Sequence, residues 1–166
     1  MKRFVGHPVA FLQNAWVREP DRLRETLARH DEAFRLDLLR RLLFAGCVTG
    51  RRLRAAFGPL CEQIVWEEAT REIAGDPRTI LPADRAHILN VVAQLKPPVV
   101  IVFGGHAGVA VHLACADCGV PLLFAPHPAA RHRTTPGLLR MVADNVREYL
   151  PNDRVERLPT REGGSK

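Results

Sequence analysis

Val99-Val100-Ile101-Val102-Phe103 is apolar at every position and stops at Gly104-Gly105. A strand with one wet face alternates apolar and polar residues, so an unbroken apolar run marks a strand covered on both faces. Pro121-Leu122-Leu123-Phe124-Ala125 repeats the pattern and ends in Pro126-His127-Pro128. Helical patterns flank these runs. Asp84 to Leu95 carries Ile88, Val91, Val92 and Leu95 on one face, His106 to Cys118 forms the next helix, and Thr135-Pro136 opens a last one through Tyr149. Strands alternating with helices predict a parallel sheet with helices on both sides.

Two further strands are expected at Leu42-Leu43-Phe44-Ala45 and Ile64-Val65-Trp66, and a helix at Arg51 to Phe57, stopped by Gly58-Pro59. Pro8 to Val17 reads as a short helix, and Pro20-Asp21 opens a longer one carrying Leu23, Leu27, Phe34, Leu38 and Leu42. The expected fold is a single-domain three-layer α/β/α sandwich with a short, mainly parallel four-stranded sheet. Residues 1–40 form an N-terminal helical segment packed on an α/β core of residues 41–151, and residues 152–166 form a polar tail. A chain of 166 residues is long enough to bury such a core without disulfides.

No apolar run reaches the roughly 18 residues of a membrane span, and Met1 to Pro8 has two basic residues without a signal-type core behind them. The expected setting is therefore cytoplasmic, with Cys47, Cys61, Cys115 and Cys118 reduced. Cys115 and Cys118 form one C-x-x-C, but the second pair of a four-thiolate zinc site is missing, so no metal is expected. The formal charge of +6, carried mostly by arginine, favours a polyanionic partner.

In open parallel sheets the ligand crevice lies beyond the carboxyl ends of the strands. Four segments occupy those ends in this reading: Gly46–Gly50, Glu67–Thr70, Gly104–His106 and His127–Arg133. His127-Pro128-Ala129-Ala130-Arg131-His132-Arg133 places two imidazoles and two guanidinium groups in one loop. An imidazole there can stabilise developing negative charge, and the arginines can hold phosphates; a solvated basic turn weighs about equally on spacing alone. Gly46-Cys47-Val48-Thr49-Gly50 can bring backbone N–H groups close to an anion or a base, or be an ordinary turn. Cys47 is better read as a packed thiol than as a nucleophile. Glu67 and Glu68 are the acidic pair near the crevice, suited to activating water or accepting from a base edge, although either one singly reads first as a charged loop edge. Trp66 beside them, and Gly104 and His106 at the next strand end, complete the candidate contacts. Gly104 to Gly108 lacks the spacing of a dinucleotide site.

Taken in order, three segments resemble the uracil-DNA glycosylase superfamily, most of all its small bacterial and thermophilic branches. They are the Gly46–Gly50 turn, the run Lys96-Pro97-Pro98-Val99-Val100-Ile101-Val102-Phe103-Gly104-Gly105-His106-Ala107, and the loop Pro126-His127-Pro128-Ala129-Ala130-Arg131-His132-Arg133. The match spans about Leu42 to Leu150. The resemblance implies a sheet between helices, duplex DNA bound across the strand ends, and a target nucleotide rotated into a pocket; the expected protein is a monomer acting on duplex or single-stranded DNA. It implies that water attacks the anomeric carbon as the N-glycosidic bond breaks. His127 would then stabilise the departing base, and Arg131 with His132 would face the groove.

The departures from the family pattern are equally specific. The first motif's water-positioning Asp, Asn or Glu is replaced by Cys47-Val48-Thr49, and the uracil-reading Asn by Glu67-Glu68. A carboxylate there would repel uracil's O4 and accept from the exocyclic amine of adenine, cytosine or guanine. The four cysteines do not supply an iron–sulfur pattern, so no cofactor is expected. The leading expectation is a DNA glycosylase with altered base choice. The alternatives are a nucleic-acid-binding member that has lost the chemistry, or a nucleoside or nucleotide hydrolase on the same scaffold.

Overall fold

The computed structural model describes residues 4–15, 17–76 and 78–150. Four short strands, β1 (Val9–Leu12), β2 (Val65–Glu68), β3 (Val100–Phe103) and β4 (Leu122–Ala125), form one sheet in the order β2-β1-β3-β4. Every pairing is parallel, with Val9 opposite both Val65 and Val100, and Val100 opposite Leu122. The helices are α1 (Pro20–Ala28), α2 (Glu32–Phe44), α3 (Val48–Phe57), α4 (Arg85–Leu95), α5 (Gly105–Cys115) and α6 (Thr135–Arg147).

Successive side chains of a strand point to opposite faces, and this splits the core in two. Val9, Phe11, Val65, Val100 and Val102 face Leu36 of α2, Ile88, Val91, Val92 and Leu95 of α4, and Ala107 and Val111 of α5. Ala10, Leu12, Trp66, Ile101 and Phe103 face Leu53 and Phe57 of α3 and Leu139, Val142, Ala143 and Val146 of α6. The result is a three-layer α/β/α fold with a four-stranded, all-parallel sheet. Among the described residues, no helix is long and apolar enough to cross a membrane.

Three local expectations are corrected. The segment expected as a helix at Pro8 to Val17 contains β1, an inner strand whose Val9 N–H donates to Val99 O at 3.2 Å while Pro8 O accepts from Val65 N at 2.9 Å. An inner strand is apolar throughout, and four apolar residues in a row are too few to show a period. Leu42 to Ala45, expected as a strand, is instead the last turn of α2 and its C-cap, with Leu39 and Leu43 turned inward and Leu42 exposed. The single long helix expected from Pro20 is two, because the Asp31 carboxylate caps α2 by accepting from Phe34 N at 2.8 Å. Residues 1–40 therefore include an inner strand of the sheet, and the core does not begin at residue 41. The expected tail, residues 152–166, lies outside the described residues.

Candidate functional site

After β1 the chain moves to β2 on one side, and β3 then pairs on the other. Loops leaving β1 and β3 thus diverge at their carboxyl ends and open a crevice between them. A cleft of about 770 Å³ lies there. It is lined by Leu12 to Ala15 after β1, Glu68 at the end of β2, Phe103 to His106 after β3, and His127 and Ala129 after β4. Gly46 to Thr49, with Leu39, Leu42 and Leu43 of α2, form another wall. Leu42, Val48 and Ile80 are exposed at this cleft, which gives it an apolar component suited to a flat ring.

His127 is held in one tautomer. Its Nδ1 accepts from the Ala129 N–H at 3.2 Å, so in the neutral ring the hydrogen resides on Nε2. Burial pushes the imidazole below its ordinary pKa and favours that neutral form. The loop is tied to α3 by Arg52, whose Nη1 donates to Pro128 O at 2.8 Å and Ala130 O at 2.6 Å. Pro128 is buried, whereas Arg131, His132 and Arg133 are exposed on the same loop outside the cleft lining. His132 Nδ1 lies 2.7 Å from Thr134 Oγ1.

Strand alternation separates the two glutamates. Glu67 points to the α2/α4 face, away from the cleft, and is 1% exposed. It pairs with the Arg35 guanidinium, and its Oε1 accepts from the Glu68 N–H at 2.8 Å and lies 3.6 Å from His87 Nε2. Arg71 closes the ring by donating to His87 Nδ1 at 3.2 Å and to Glu32 Oε2 at 3.0 Å, and Glu32 in turn bonds Arg35 at 2.7 Å. Burial opposes ionisation of Glu67, but His87, Arg35 and the Glu68 N–H outweigh it and hold the carboxyl below its usual range. Glu67 is therefore a buried structural ion.

Glu68 lines the cleft. Burial, reinforced by the Glu67 charge, pushes its carboxyl up to about 8 against the opposing pull of Arg35. Its Oε2 is sealed from solvent without a hydrogen-bond partner.

The other candidates divide between lining and packing. Gly104, with φ +89, passes so close to His127 that a Cβ there would lie 3.3 Å from the His127 Cβ. Gly105 and His106 open α5 behind it, with no side-chain cap on the first turn. Gly50 is not part of an anion-binding turn. It lies inside α3, where a Cβ would fall 1.9 Å from Leu43 O, and its N–H donates to Cys47 Sγ at 3.3 Å. Cys47 is the cap of α3, and its Sγ donates to Leu43 O at 3.1 Å. Trp66 is 2% exposed, stacks on Phe103 and donates from Nε1 to Cys61 O at 2.9 Å, so it belongs to the core. Among the described residues, no group of three His, Cys, Asp or Glu side chains is placed to hold a metal.

Gln13 and Asn14 were not among the residues expected at the site. Gln13 Nε2 donates to Leu81 O at 2.9 Å, while Asn14 Oδ1 accepts from Leu81 N at 3.2 Å and its Nδ2 donates to Thr79 O at 3.3 Å. The two amides bring Thr79 and Ile80 to the cleft wall. Their role depends wholly on β1 ending at Leu12, and no local sequence signal announces it. No family model matches the chain, and no curated protein matches it.

Proposed function

We propose that the protein binds a nucleobase unstacked from a DNA strand in this cleft and hydrolyses its N-glycosidic bond. The observation that carries the reading is the His127 imidazole, favoured in its neutral form by burial, held with Nε2 as the donor, and set in the wall of the cleft at the strand ends. As the C1′–N bond breaks, its electron pair goes to the base, and a hydrogen bond from Nε2–H strengthens as negative charge develops there. The open first turn of α5 adds positive potential on the same side. Water supplies the oxygen that bonds to C1′ and releases its proton to solvent. Gln13 lines the cleft with its Nε2 engaged by Leu81 O, and its amide oxygen is the acceptor assigned to that water in this reading. The exposed Arg131 and Arg133 and the net charge of +6 suit a phosphate backbone.

A second reading, base binding without cleavage, is favoured by a specific observation. Glu67 is consumed by Arg35, and Glu68 holds its proton up to about pH 8, so neither presents an ionised carboxylate to activate water at neutral pH. One experiment separates the two. Single- and double-stranded oligonucleotides carrying uracil, hypoxanthine or xanthine are incubated with the protein and scored for abasic sites after alkali. Abasic sites that disappear with His127→Ala support hydrolysis. Binding that weakens steeply with salt and leaves no abasic sites supports the binding module. Release of base from free nucleosides alone contradicts both.

A further inference from the structure

Cys115 and Cys118, the C-x-x-C at the end of α5, take no part in the cleft. Parallel strands run one way and the connecting helices return the other, so α5 starts at the cleft with Gly105 and ends at the opposite rim with Cys115. Beyond Ala116 the chain makes one further turn, in which the Cys118 N–H donates to Cys115 O at 3.0 Å. Cys118 Sγ folds back over the helix end and donates to Ala114 O at 3.9 Å, beside Cys115. The two sulfurs differ in access: Cys118 is exposed, whereas Cys115 is 3% exposed in the core between the sheet, α4 and α5. Among the described residues, no third His, Cys, Asp or Glu side chain joins them in a metal-ligating group.

We propose that Cys115 and Cys118 are a thiol–disulfide exchange site, which a low-molecular-weight disulfide converts to an intramolecular disulfide at the rim opposite the cleft. Cys118, the thiol that solvent reaches, loses its proton to solvent and attacks one sulfur of the incoming disulfide. That S–S bond breaks, a new one forms to Cys118, and the first small thiol leaves with a proton taken from solvent. Cys115 then gives up its own proton, attacks Cys118 Sγ and expels the second small thiol. Together the two cysteines lose two electrons, and the small disulfide gains them.

Residues one helical turn apart have Cβ atoms about 5–6 Å from each other, and a disulfide brings them to about 3.5–4.5 Å. Closure therefore asks for a shift of about 1–2 Å, and the chain after Cys118 is placed to give it. Gly119 follows at once with φ +65, and a Cβ there would meet nothing within 4 Å. The order of attack follows from the surroundings. Burial pushes the Cys115 thiol up to about 11, and the Cys118 sulfur, within hydrogen-bond reach of it, adds to the rise. A thiol held in this way forms little thiolate at neutral pH and meets no solvent-borne disulfide, so it does not begin the exchange. It stands instead beside the one sulfur that does.

The test incubates the fully reduced protein with oxidised glutathione at neutral pH, stops exchange with acid, alkylates the remaining thiols and maps the peptides by mass spectrometry. In wild type, Cys115 and Cys118 are expected to appear joined to each other, free of glutathione and of the alkylating group. Cys115→Ser should leave glutathione on Cys118, and that adduct should last about tenfold longer or more than in wild type, because no second thiol displaces it. Cys118→Ser should leave Cys115 reduced, since glutathione does not reach a buried sulfur. A glutathione adduct that persists on wild-type Cys118 with Cys115 still reduced overturns the proposal. So does alkylation of both cysteines after incubation, or a Cys115–Cys118 link that forms only when the chain is unfolded in urea. The wild-type map decides the matter even if a variant fails to fold, and its outcome does not depend on what the cleft binds.

Discussion

Gly104 and His127 are in contact: a Cβ on Gly104 would lie 3.3 Å from the His127 Cβ and 3.7 Å from its ring Cδ2. The end of β3 thus serves as the seat on which the imidazole rests. Gly104 has φ +89 and ψ 160, a backbone conformation open almost only to glycine. Gly104→Ala is expected to destabilise the fold by about 1–3 kcal/mol in urea unfolding and to displace His127. Base binding should fall more in this variant than in an equally destabilised core mutant such as Val146→Ala.

Gly50 serves packing instead of ligand approach. Its missing Cβ admits Leu43 O of α2 against α3, where a methyl group would sit at 1.9 Å. Gly50→Ala is expected to cost about 1–3 kcal/mol or more, as overpacked sites do, read as a fall in the thermal midpoint. Gly105→Ala, which meets nothing within 4 Å, is the matched control.

Removing one member of the Glu67–Arg35 pair strands the other in the interior. Glu67→Ala should lose about 3–5 kcal/mol of stability, measured by chemical unfolding. The folded-state pKa of Glu67 is lowered, so its contribution is present above the unfolded carboxyl value and is lost as pH falls through the folded one. Acid unfolding of wild type should accordingly be steeper than that of a variant in which Arg35 and Glu67 are both replaced by apolar residues.

Glu68 has the opposite sign. Its folded pKa of about 8 exceeds the unfolded value, so its contribution is complete below the unfolded value and is lost as pH rises through about 8. Glu68→Gln should remove that decline and leave the protein about 1–3 kcal/mol more stable than wild type near pH 9. Unfolding curves from pH 5 to pH 9 measure it. Curves that run parallel across the range would show that the proton is not held.

Arg52 ties the His127 loop to α3 through the carbonyls of Pro128 and Ala130. Arg52→Met keeps the aliphatic stem and removes both hydrogen bonds, each worth about 1.5–3 kcal/mol when charged. The expected result is faster amide hydrogen exchange at Ala129 and Ala130, with base binding reduced about tenfold, a shift of about 1.4 kcal/mol.

The inner strand β3 and the edge strand β4 were legible because each is a continuous apolar run punctuated by Gly or Pro. The runs Val9–Leu12 and Leu42–Phe44 look alike locally, and what separates them is long-range. Val9–Leu12 finds β2 on one side and β3 on the other, whereas Leu42–Phe44 continues a helix capped by Asp31. With β1 hidden, Gln13 and Asn14 were hidden too. His127 and Gly104 followed from their places at strand ends. The adjacent Glu67 and Glu68 could not be told apart, because strand alternation sends them to opposite faces and sequence does not say which face holds the ligand.

The central claim is that a nucleobase enters the cleft beyond the strand ends and meets His127. A crystal structure with a single-stranded oligonucleotide carrying 2′-fluorinated arabinouridine tests it directly, by the distance from the nearer uracil oxygen to His127 Nε2. It is expected within hydrogen-bond reach, about 2.6–3.2 Å, with the ring against Leu42 and Ile80. A uracil bound elsewhere, or a cleft that stays empty while the strand lies on another surface, would contradict it.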